Sequence, residues 1–155
     1  LREGWYLGLL DVAFRCVHPQ DGQEDVYWVG RNSALIIRGG ANYACDQING
    51  ELCRFVEGHY GLPCDDFDLA VAGLRLVSEH EDACCVTLEL KSHRARALAE
   101  DLRRTFLAEA RNAVSKGARP DFLRFGQVFR TFKGTIRLQE IKDAWRQDPS
   151  APQEK

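Results

Sequence analysis

A change in the spacing of apolar residues near position 91 constrains the fold of this chain more than any other feature. Residues 67–77 and 83–90 are mainly apolar and flank a short polar segment, which predicts two strands joined by a hairpin loop. Apolar residues then recur at steps of four through 94–115, which predicts one long amphipathic helix that ends near Gly117. The recurring residues are Leu98, Leu102, Phe106, Ala110 and Val114. The chain therefore contains a sheet and a helix able to cover it.

The N-terminal third shows the same two kinds of pattern. Residues 5–14 and 26–29 are β-prone and lie on either side of the turn-forming stretch 18–23, which predicts a hairpin. Apolar residues at helical spacing then predict a helix that has Asp46 as its cap and ends at Gly58.

Shorter segments complete the order of elements. Strands are predicted at 34–37 and 122–129, a turn at 131–135, and a final helix at 138–145. Strands followed by helices in this order predict a small α/β or α+β domain, in which helices pack on a mostly antiparallel or mixed sheet.

Length and charge narrow the classes of function. The 155 residues suffice for one domain, or for one domain and a small appendage. The net charge is −2, so the chain has no overall field that would hold a polyanion, and nucleic acid is not expected as a main partner. No apolar run approaches the roughly 20 residues of a membrane span, and no signal peptide opens the chain, so a cytoplasmic protein is expected.

The cysteines and histidines give no metal or catalytic pattern. The six cysteines contain no CxxC pair, and the four histidines share no spacing, so neither a metal site nor a catalytic triad is expected. The cysteines are predicted to be reduced, small core residues. The chain contains no Met and begins at Leu1, so we expect it to be a piece of a longer protein.

Residues 29–42 carry the most specific pattern. They read Val-Gly-Arg-Asn-Ser-Ala-Leu-Ile-Ile-Arg-Gly-Gly-Ala-Asn, in which Gly-Arg, an apolar run and Arg-Gly-Gly-x-Asn stand at fixed spacing. This segment resembles the signature that opens the C-terminal domain of acyl-adenylate-forming enzymes, which include acyl-CoA synthetases, fatty acyl-AMP ligases and adenylation domains. Upstream, residues 5–11 are similar to the family's Tyr-x-Thr-Gly-Asp segment, with Asp11 in the place of its Asp. The resemblance extends over about 5–146.

The resemblance implies an architecture and domain boundaries. The implied fold is α+β, a short N-terminal hairpin followed by a three-stranded sheet covered by helices, as in the C-terminal lid domain of the family. Residues 1–32 would be the end of the preceding domain and the hairpin that leads to the hinge. Residues 33–148 would be the lid domain, and 149–155 a disordered tail.

The resemblance also implies roles for six residues near the N-terminus. Asp11 and Arg31 would hold the ATP ribose, because a fixed carboxylate and a guanidinium grip hydroxyl groups well. Ser33 would be the hinge about which the domain swings between two half-reactions. A third group, Arg38, Gly39 and Gly40, would line the acceptor tunnel, where glycines permit close approach of a pantetheine arm.

The final motif of the family, Pro-Arg-Thr-x-Ser-Gly-Lys-Ile, supplies the lysine of the first half-reaction. When this motif is aligned with residues 129–136 without gaps, Thr135 stands at the position of the lysine. A shorter ending of the form Thr-x-Lys, found in some long-chain acyl-CoA synthetase relatives, is similar to 131–133 and makes Lys133 the candidate. An ammonium on a flexible stem suits the negative charge that builds up when a carboxylate attacks the α-phosphate of ATP.

The function implied is that of a mobile domain which closes over ATP, then over an acyl-adenylate and a thiol acceptor. The substrate would be a fatty acid, and the acceptor would be coenzyme A or the pantetheine of an acyl carrier protein. ATP with Mg²⁺ would be bound mainly by the N-terminal adenylation domain of the same chain, so the 155 residues are expected to be inactive alone.

Two other functions remain open. One is a degenerate, non-catalytic domain of the adenylation type that binds a partner or an acyl ligand, as Thr135 at the lysine position would suggest. The other is an unrelated small α/β binding module, which a different order of strands in the sheet would indicate.

Each candidate residue also has a structural alternative. Lys133 would then be a surface lysine of a turn, Asp11 an ordinary carboxylate, Arg31 an anchor, and Gly39 with Gly40 only a turn. The segment 78–82 is expected to be solvated. Four arginines of the predicted long helix either face solvent or dock a carrier protein or partner domain. They are Arg94, Arg96, Arg103 and Arg104.

Overall fold

The computed structural model describes residues 11–17, 20–31 and 34–149. The elements in chain order are β1 (Asp11–Val17), β2 (Glu24–Arg31), β3 (Leu35–Arg38), β4 (Ala41–Ala44), α1 (Cys45–Tyr60), β5 (Phe67–Leu74), β6 (Ala83–Leu90), α2 (His93–Ala97), α3 (Ala99–Ala113), β7 (Phe122–Phe125) and α4 (Leu138–Arg146). A short 3-10 turn, Lys116–Ala118, lies between α3 and β7.

The strands form two hairpins and one three-stranded sheet. β1 pairs with β2, and β3 pairs with β4, both antiparallel. The sheet has the order β5-β6-β7, in which β5 and β6 are antiparallel and β7 runs parallel to β6. The strand at 83–90 and the hairpin that it forms with β5 are as predicted from the sequence, and the mixed sheet is one of the two alternatives.

Helices cover both faces of the sheet. Along β5, Leu69 and Val71 belong to the cluster that contains α1 and α3, whereas Ala70 and Ala72 belong to the cluster that contains α4. Alternate side chains of a strand point to opposite faces, so a strand covered on both sides reads as continuously apolar. This is why the β5 sequence is not an alternation of apolar and polar residues.

The face toward α4 is lined by small side chains. Trp145 of α4 is 4% exposed, and its indole Nε1 donates to the hydroxyl Oγ1 of buried Thr87 at 3.0 Å. The hydrogen bond satisfies two polar groups that would otherwise be buried without partners. It also fixes α4, which follows the turn at 131–135, against the sheet.

The first helix differs at both ends from the prediction. α1 begins at Cys45 after Ala44, no side chain caps it, and Asp46 lies in its first turn. It passes through Gly58 and ends at Tyr60, because Gly61 has φ +62° and so supplies the left-handed residue that stops a helix. The acidic Asp46 still favours the positive end of the helix dipole.

The predicted long helix is two helices. α2 begins after Ser92, whose hydroxyl accepts from the Ala95 amide at 3.0 Å, and α3 begins after Leu98. A continuous period of four cannot reveal such a break, because apolar residues on both segments still face the same core. β4 was not predicted, and the strand expected at 122–129 ends at Phe125.

Candidate functional site

Gly39 and Gly40 form the two-residue turn between β3 and β4. Their φ angles are +56° and +76°, which L side chains rarely adopt. A turn with two positive φ angles matches the twist of a two-residue hairpin. A Cβ atom at either position would meet nothing within 4 Å, so the space beside the turn is open. The two glycines thus make the turn and also leave its backbone accessible.

Arg38 is held inward from this turn. Its Nη2 lies 3.1 and 3.0 Å from the two carboxylate oxygens of Asp121, and its Nη1 donates to the carbonyl of Arg119 at 2.5 Å. The other role of Asp121 is to accept the backbone amide of Cys84 in β6 at 2.8 Å. The Arg38 guanidinium is therefore committed to joining the turn to the sheet.

The polar loop between β5 and β6 is exposed at residues 79–81, as expected, and it also holds the same turn. Glu81 accepts the Gly39 amide at 3.0 Å. Asp82 accepts the Ile37 amide at 2.9 Å, and its own amide donates to the Ile37 carbonyl at 2.8 Å. Sequence patterns missed these residues because polar side chains in a short loop are usually hydrated.

A cleft of about 410 Å³ opens beside the turn. Its lining includes Gly117, where an added Cβ would lie 2.1 Å from a ring carbon of Tyr43, so that ring would have to shift. The charged side chains of the lining are four basic and two acidic. They are Arg38, Arg111, Lys116, Arg119, Glu81 and Asp121. The excess of positive charge suits an anionic ligand.

Lys133 lies at the tip of a second turn. The Gly134 amide donates to the Thr131 carbonyl at 2.9 Å, the Thr131 amide donates to the Thr135 carbonyl at 2.8 Å, and Gly134 has φ +82°. This is a three-residue hairpin turn in which glycine takes the left-handed position. Thr135 lies in the returning arm, where its amide donates to the Thr131 hydroxyl at 3.2 Å.

The Lys133 side chain is available for a ligand. Among the described residues it forms no ion pair. Its Nζ lies 5.6 Å from the centre of the Phe132 ring, and Phe132 is 96% exposed. An ammonium near a fully exposed ring is still hydrated, so it is free to leave the ring for an anion.

Arg130 fastens the base of this turn. Its guanidinium pairs with Asp68 of β5, with Nε–Oδ2 at 2.8 Å and Nη2–Oδ1 at 2.6 Å. Its third donor, Nη1, reaches the Gly134 carbonyl at 2.5 Å. Sequence patterns gave no sign of this contact, because 62 residues separate the two partners.

The two turns lie at opposite ends of the sheet. The Gly39–Gly40 turn contacts the loop after Leu74, whereas the base of the Lys133 turn is held at Asp68. Six residue steps of β5 separate these positions, which at roughly 3.4 Å each is about 20 Å. The structure therefore brings Arg38, Gly39 and Gly40 together, and it keeps Lys133 apart from them.

Three predicted residues are described only in part or not at all. Asp11 and Arg31 are direct partners in the pairing of β1 with β2, so the backbone places them side by side. Their side chains lie outside the described part of the structure. Ser33, the predicted hinge, lies outside the described residues, as does 150–155 of the predicted tail.

The four arginines of α2 and α3 make two kinds of contact. Two donate to backbone carbonyls, Arg94 to Gly61 at 2.8 Å and Arg96 to Leu90 at 3.2 Å. The other two form local ion pairs three residues apart along α3, at 3.2 and 2.8 Å. All four side chains are exposed, so the choice between a solvated face and a docking face stays a prediction.

Two negative findings concern the described residues only. No group of three His, Cys, Asp or Glu side chains among the described residues is arranged to hold a metal ion. Within the same part of the chain, no helix has the length and apolar character needed to cross a membrane.

Of the cysteines whose side chains are described, Cys45, Cys84 and Cys85 are buried, whereas Cys64 is exposed and is not the core residue expected.

Comparisons with known proteins were made by sequence and by structure. No family model matches the chain, and no curated protein matches it significantly. Solved structures do match. An acyl-CoA synthetase (AMP-forming)/AMP-acid ligase II-like protein from Dyadobacter fermentans superposes with a TM-score of 0.55 at 17% identity, over 85% of this chain and 41% of that one.

Two further structures cover a similar part of the chain. McyG A-PCP complexed with phenylalanyl-adenylate gives a TM-score of 0.61 at 16% identity, over 90% of this chain and 23% of that one. A fatty acyl CoA synthetase of Mycobacterium tuberculosis gives 0.54 at 16% identity, over 87% and 23%. This chain therefore spans from about a quarter to two fifths of the length of the proteins that it matches.

These likenesses establish the fold. The described residues form a small α+β domain with a three-stranded mixed sheet and four helices, which matches the C-terminal domain of adenylate-forming enzymes. The predicted fold class is confirmed, and 67–90 contains a hairpin within a three-stranded sheet covered by helices, as the resemblance implies. An unrelated module with another order of strands is no longer an alternative.

Proposed function

We propose, from the fold shared with the C-terminal domain of adenylate-forming enzymes, that this chain is the mobile C-terminal domain of an ATP-dependent fatty acyl-adenylating enzyme, an acyl-CoA synthetase or acyl-AMP ligase. The single observation that carries the proposal is the pair of turns at opposite ends of the sheet. One turn exposes a lysine, and the other presents glycine backbone beside a basic cleft.

In the first half-reaction, the carboxylate of the acid attacks the α-phosphate of ATP, and pyrophosphate leaves. Two anions approach each other, and negative charge builds up on the phosphoryl oxygens. The Lys133 ammonium would enter this site and stabilise that charge. The position of Lys133 at the tip of its turn supports the assignment, as does the return of Thr135 into the hairpin arm.

In the second half-reaction, a thiol attacks the carbonyl carbon of the acyl-adenylate, and AMP leaves. The Gly39–Gly40 turn would lie along the pantetheine arm, since nothing fills the space where its Cβ atoms would be. Coenzyme A and carrier-bound pantetheine both bear phosphate, which Arg111, Lys116 and Arg119 of the cleft would attract.

The separation of the turns supports a swing between the half-reactions. About 20 Å along β5 lies between the two anchoring positions, so one orientation of the domain cannot bring both turns to a single reaction centre. A rotation about Ser33 would exchange them. Asp11 and Arg31, paired across β1 and β2 just before that hinge, would hold the ATP ribose.

The remaining components belong to the rest of the polypeptide in this proposal. Mg²⁺, the acyl pocket and most of the ATP contacts would belong to the N-terminal adenylation domain. An acyl carrier protein is a proposed partner only if its pantetheine is the acceptor. We assign no step to the metal.

The test is hydroxylamine trapping of acyl-adenylate in the complete polypeptide, with ATP and a panel of fatty acids. We expect Lys133→Ala to lower the rate by 10²-fold or more, which corresponds to about 2.7 kcal/mol of transition-state stabilisation. The matched control is Thr135→Ala in the same turn, which should have little effect.

The opposite outcomes separate the alternatives. A loss confined to Thr135→Ala would contradict the assignment of Lys133. No trapped product from the wild type on any acid would favour the degenerate domain, whose role would be to bind a partner or an acyl ligand. If the isolated 155 residues formed acyl-adenylate unaided, the proposal of a mobile domain would fail.

A further inference from the structure

One guanidinium joins the turn that carries Lys133 to a carboxylate of the sheet. Arg130 pairs with both carboxylate oxygens of Asp68 at 2.8 and 2.6 Å, and it also donates to the Gly134 carbonyl at 2.5 Å. Arg130 stands before the turn and Gly134 after Lys133. The guanidinium thus bridges both arms of the turn and connects them to β5.

Asp68 is well placed to anchor that bridge. Its side chain is 12% exposed, and it also accepts the Leu69 amide at 2.9 Å and lies 3.4 Å from the Lys91 ammonium. A planar fork that pairs with both oxygens of a carboxylate is fixed in direction as well as in distance. Exposed Lys91 makes a single, longer contact and so cannot replace the fork.

A second carboxylate supports the same segment. Glu89 of β6 lies directly opposite Asp68 in the strand pairing, and it accepts the Val128 amide at 2.8 Å. Carboxylates in opposite positions on neighbouring strands repel each other unless they are compensated. Here Glu89 accepts the Val128 amide, and Asp68 pairs with the Arg130 guanidinium. Both partners belong to the segment that leads into the turn, and they are two residues apart.

The two interactions hold the base of the turn, whereas its tip is exposed. Lys133 is exposed beyond a base that is fixed at Val128, Arg130 and Gly134. A misplacement of about 1 Å in a group that must meet the reacting atoms lowers a rate by roughly 10²-fold. The direction in which the turn projects is therefore set by residues that never touch the substrate.

We propose that Asp68 is a positioning residue for the adenylation half-reaction, which acts by holding Arg130 and, through it, the turn that presents Lys133. The inference rests on the proposed function, because it presupposes that Lys133 meets the adenylating centre. It adds a residue of the sheet, far from the chemistry in sequence, to the residues that determine the rate.

The test measures both half-reactions in the complete polypeptide. Asp68→Asn should slow acyl-adenylate formation about 10- to 100-fold, because the fork loses its charged partner. Thioester formation from added acyl-adenylate should be unchanged, since it uses the other end of the sheet. Arg130→Lys, which keeps the charge and loses the fork, should act in the same direction, and Asp68→Glu should recover part of the rate.

A double variant tests whether Asp68 acts through Lys133. If it does, Asp68→Asn combined with Lys133→Ala should be no slower than Lys133→Ala alone. The matched control is Asp143→Asn, which removes the ion pair to Arg146 on α4 and should leave both rates unchanged. Hydrogen exchange of the segment 129–137 should be faster in Asp68→Asn, and exchange elsewhere should not change.

Several results would overturn the inference. One is an equal loss in both half-reactions, which a general loss of stability would produce. Another is a double variant that is slower than Lys133→Ala alone by the same factor by which Asp68→Asn slows the wild type. If Lys133→Ala slows adenylation and neither Asp68→Asn nor Arg130→Lys does, the positioning role is wrong although the proposed function stands. If Lys133→Ala itself has no effect, the assignment of Lys133 in the proposed function fails, and the inference about Asp68 fails with it.

Discussion

The two turns of the candidate site use charge in opposite ways. In the Gly39–Gly40 turn, the charged side chain nearest the tip, Arg38, is bound to Asp121 and the Arg119 carbonyl. In the other turn, Lys133 at the tip is free of ion pairs among the described residues, and Arg130 at the base supplies the anchor.

The difference shows how one fold can present backbone at one end and a charge at the other. Where the nearest guanidinium serves as the anchor, the tip offers only amides and open space. Where Arg130 at the base supplies the anchor, the tip keeps the exposed ammonium of Lys133. Carboxylates of the sheet or its loops decide which case applies, because each one fixes a particular arginine.

The largest effect is expected from breaking the contact of Arg38 with Asp121. Asp121→Ala would leave the Arg38 guanidinium and the Cys84 amide without their acceptor, which should lower the free energy of unfolding by about 2–3 kcal/mol. Urea unfolding measures this difference. Glu100→Gln, which removes an exposed pair of α3, is the control and should change stability by less than about 0.5 kcal/mol. Equal changes in the free energy of unfolding would mean that the contact of Arg38 with Asp121 is no stronger than an exposed ion pair.

A smaller effect is expected from changing the turn itself. Gly40 has φ +76° and an open Cβ position, so Gly40→Ala should cost about 1–2 kcal/mol through backbone strain alone. Gly40→Asn should cost much less, because asparagine tolerates the left-handed conformation. Thermal unfolding of the two variants distinguishes the causes. A similar loss for both would show that space, rather than φ, requires glycine at this position.

The smallest effect is expected from protonating Asp68, which pairs with Arg130. Burial raises the pKa of Asp68, but the hydrogen bonds and charge of Arg130 outweigh this, so the pKa lies below its ordinary value. A carboxyl group with a lowered pKa stabilises the fold above its unfolded-state pKa of about 3.9, and this contribution is lost as the pH falls through the lower folded-state value.

The corresponding measurement is the free energy of unfolding between pH 7 and pH 2. Asp68→Asn should remove part of its acid dependence, by about 1 kcal/mol or less, because the Arg130 side chain is 38% exposed. An acid dependence that is the same in Asp68→Asn and wild type would contradict this account of the pair.

Sequence patterns predicted elements better than contacts between them. The hairpin of β5 with β6 and the final helix follow from local spacing and turn residues, which act over a few positions. The break at Leu98 was missed because both helices pack the same apolar stripe on one core. The roles of Glu81 and Asp82 were missed because their partners, Gly39 and Ile37, lie 42 and 45 residues away.

The sequence by itself determined the hairpin of β5 with β6, the final helix, and the motif that resembles adenylate-forming enzymes. Each of these depends on the conformational preferences of neighbouring residues. Only the tertiary structure decided that the two turns stand at opposite ends of the sheet, that Arg38 is committed to an anchor, and that Asp68 holds the turn of Lys133. Those outcomes depend on hydrogen bonds between distant residues, which form only when the sheet brings its strands together.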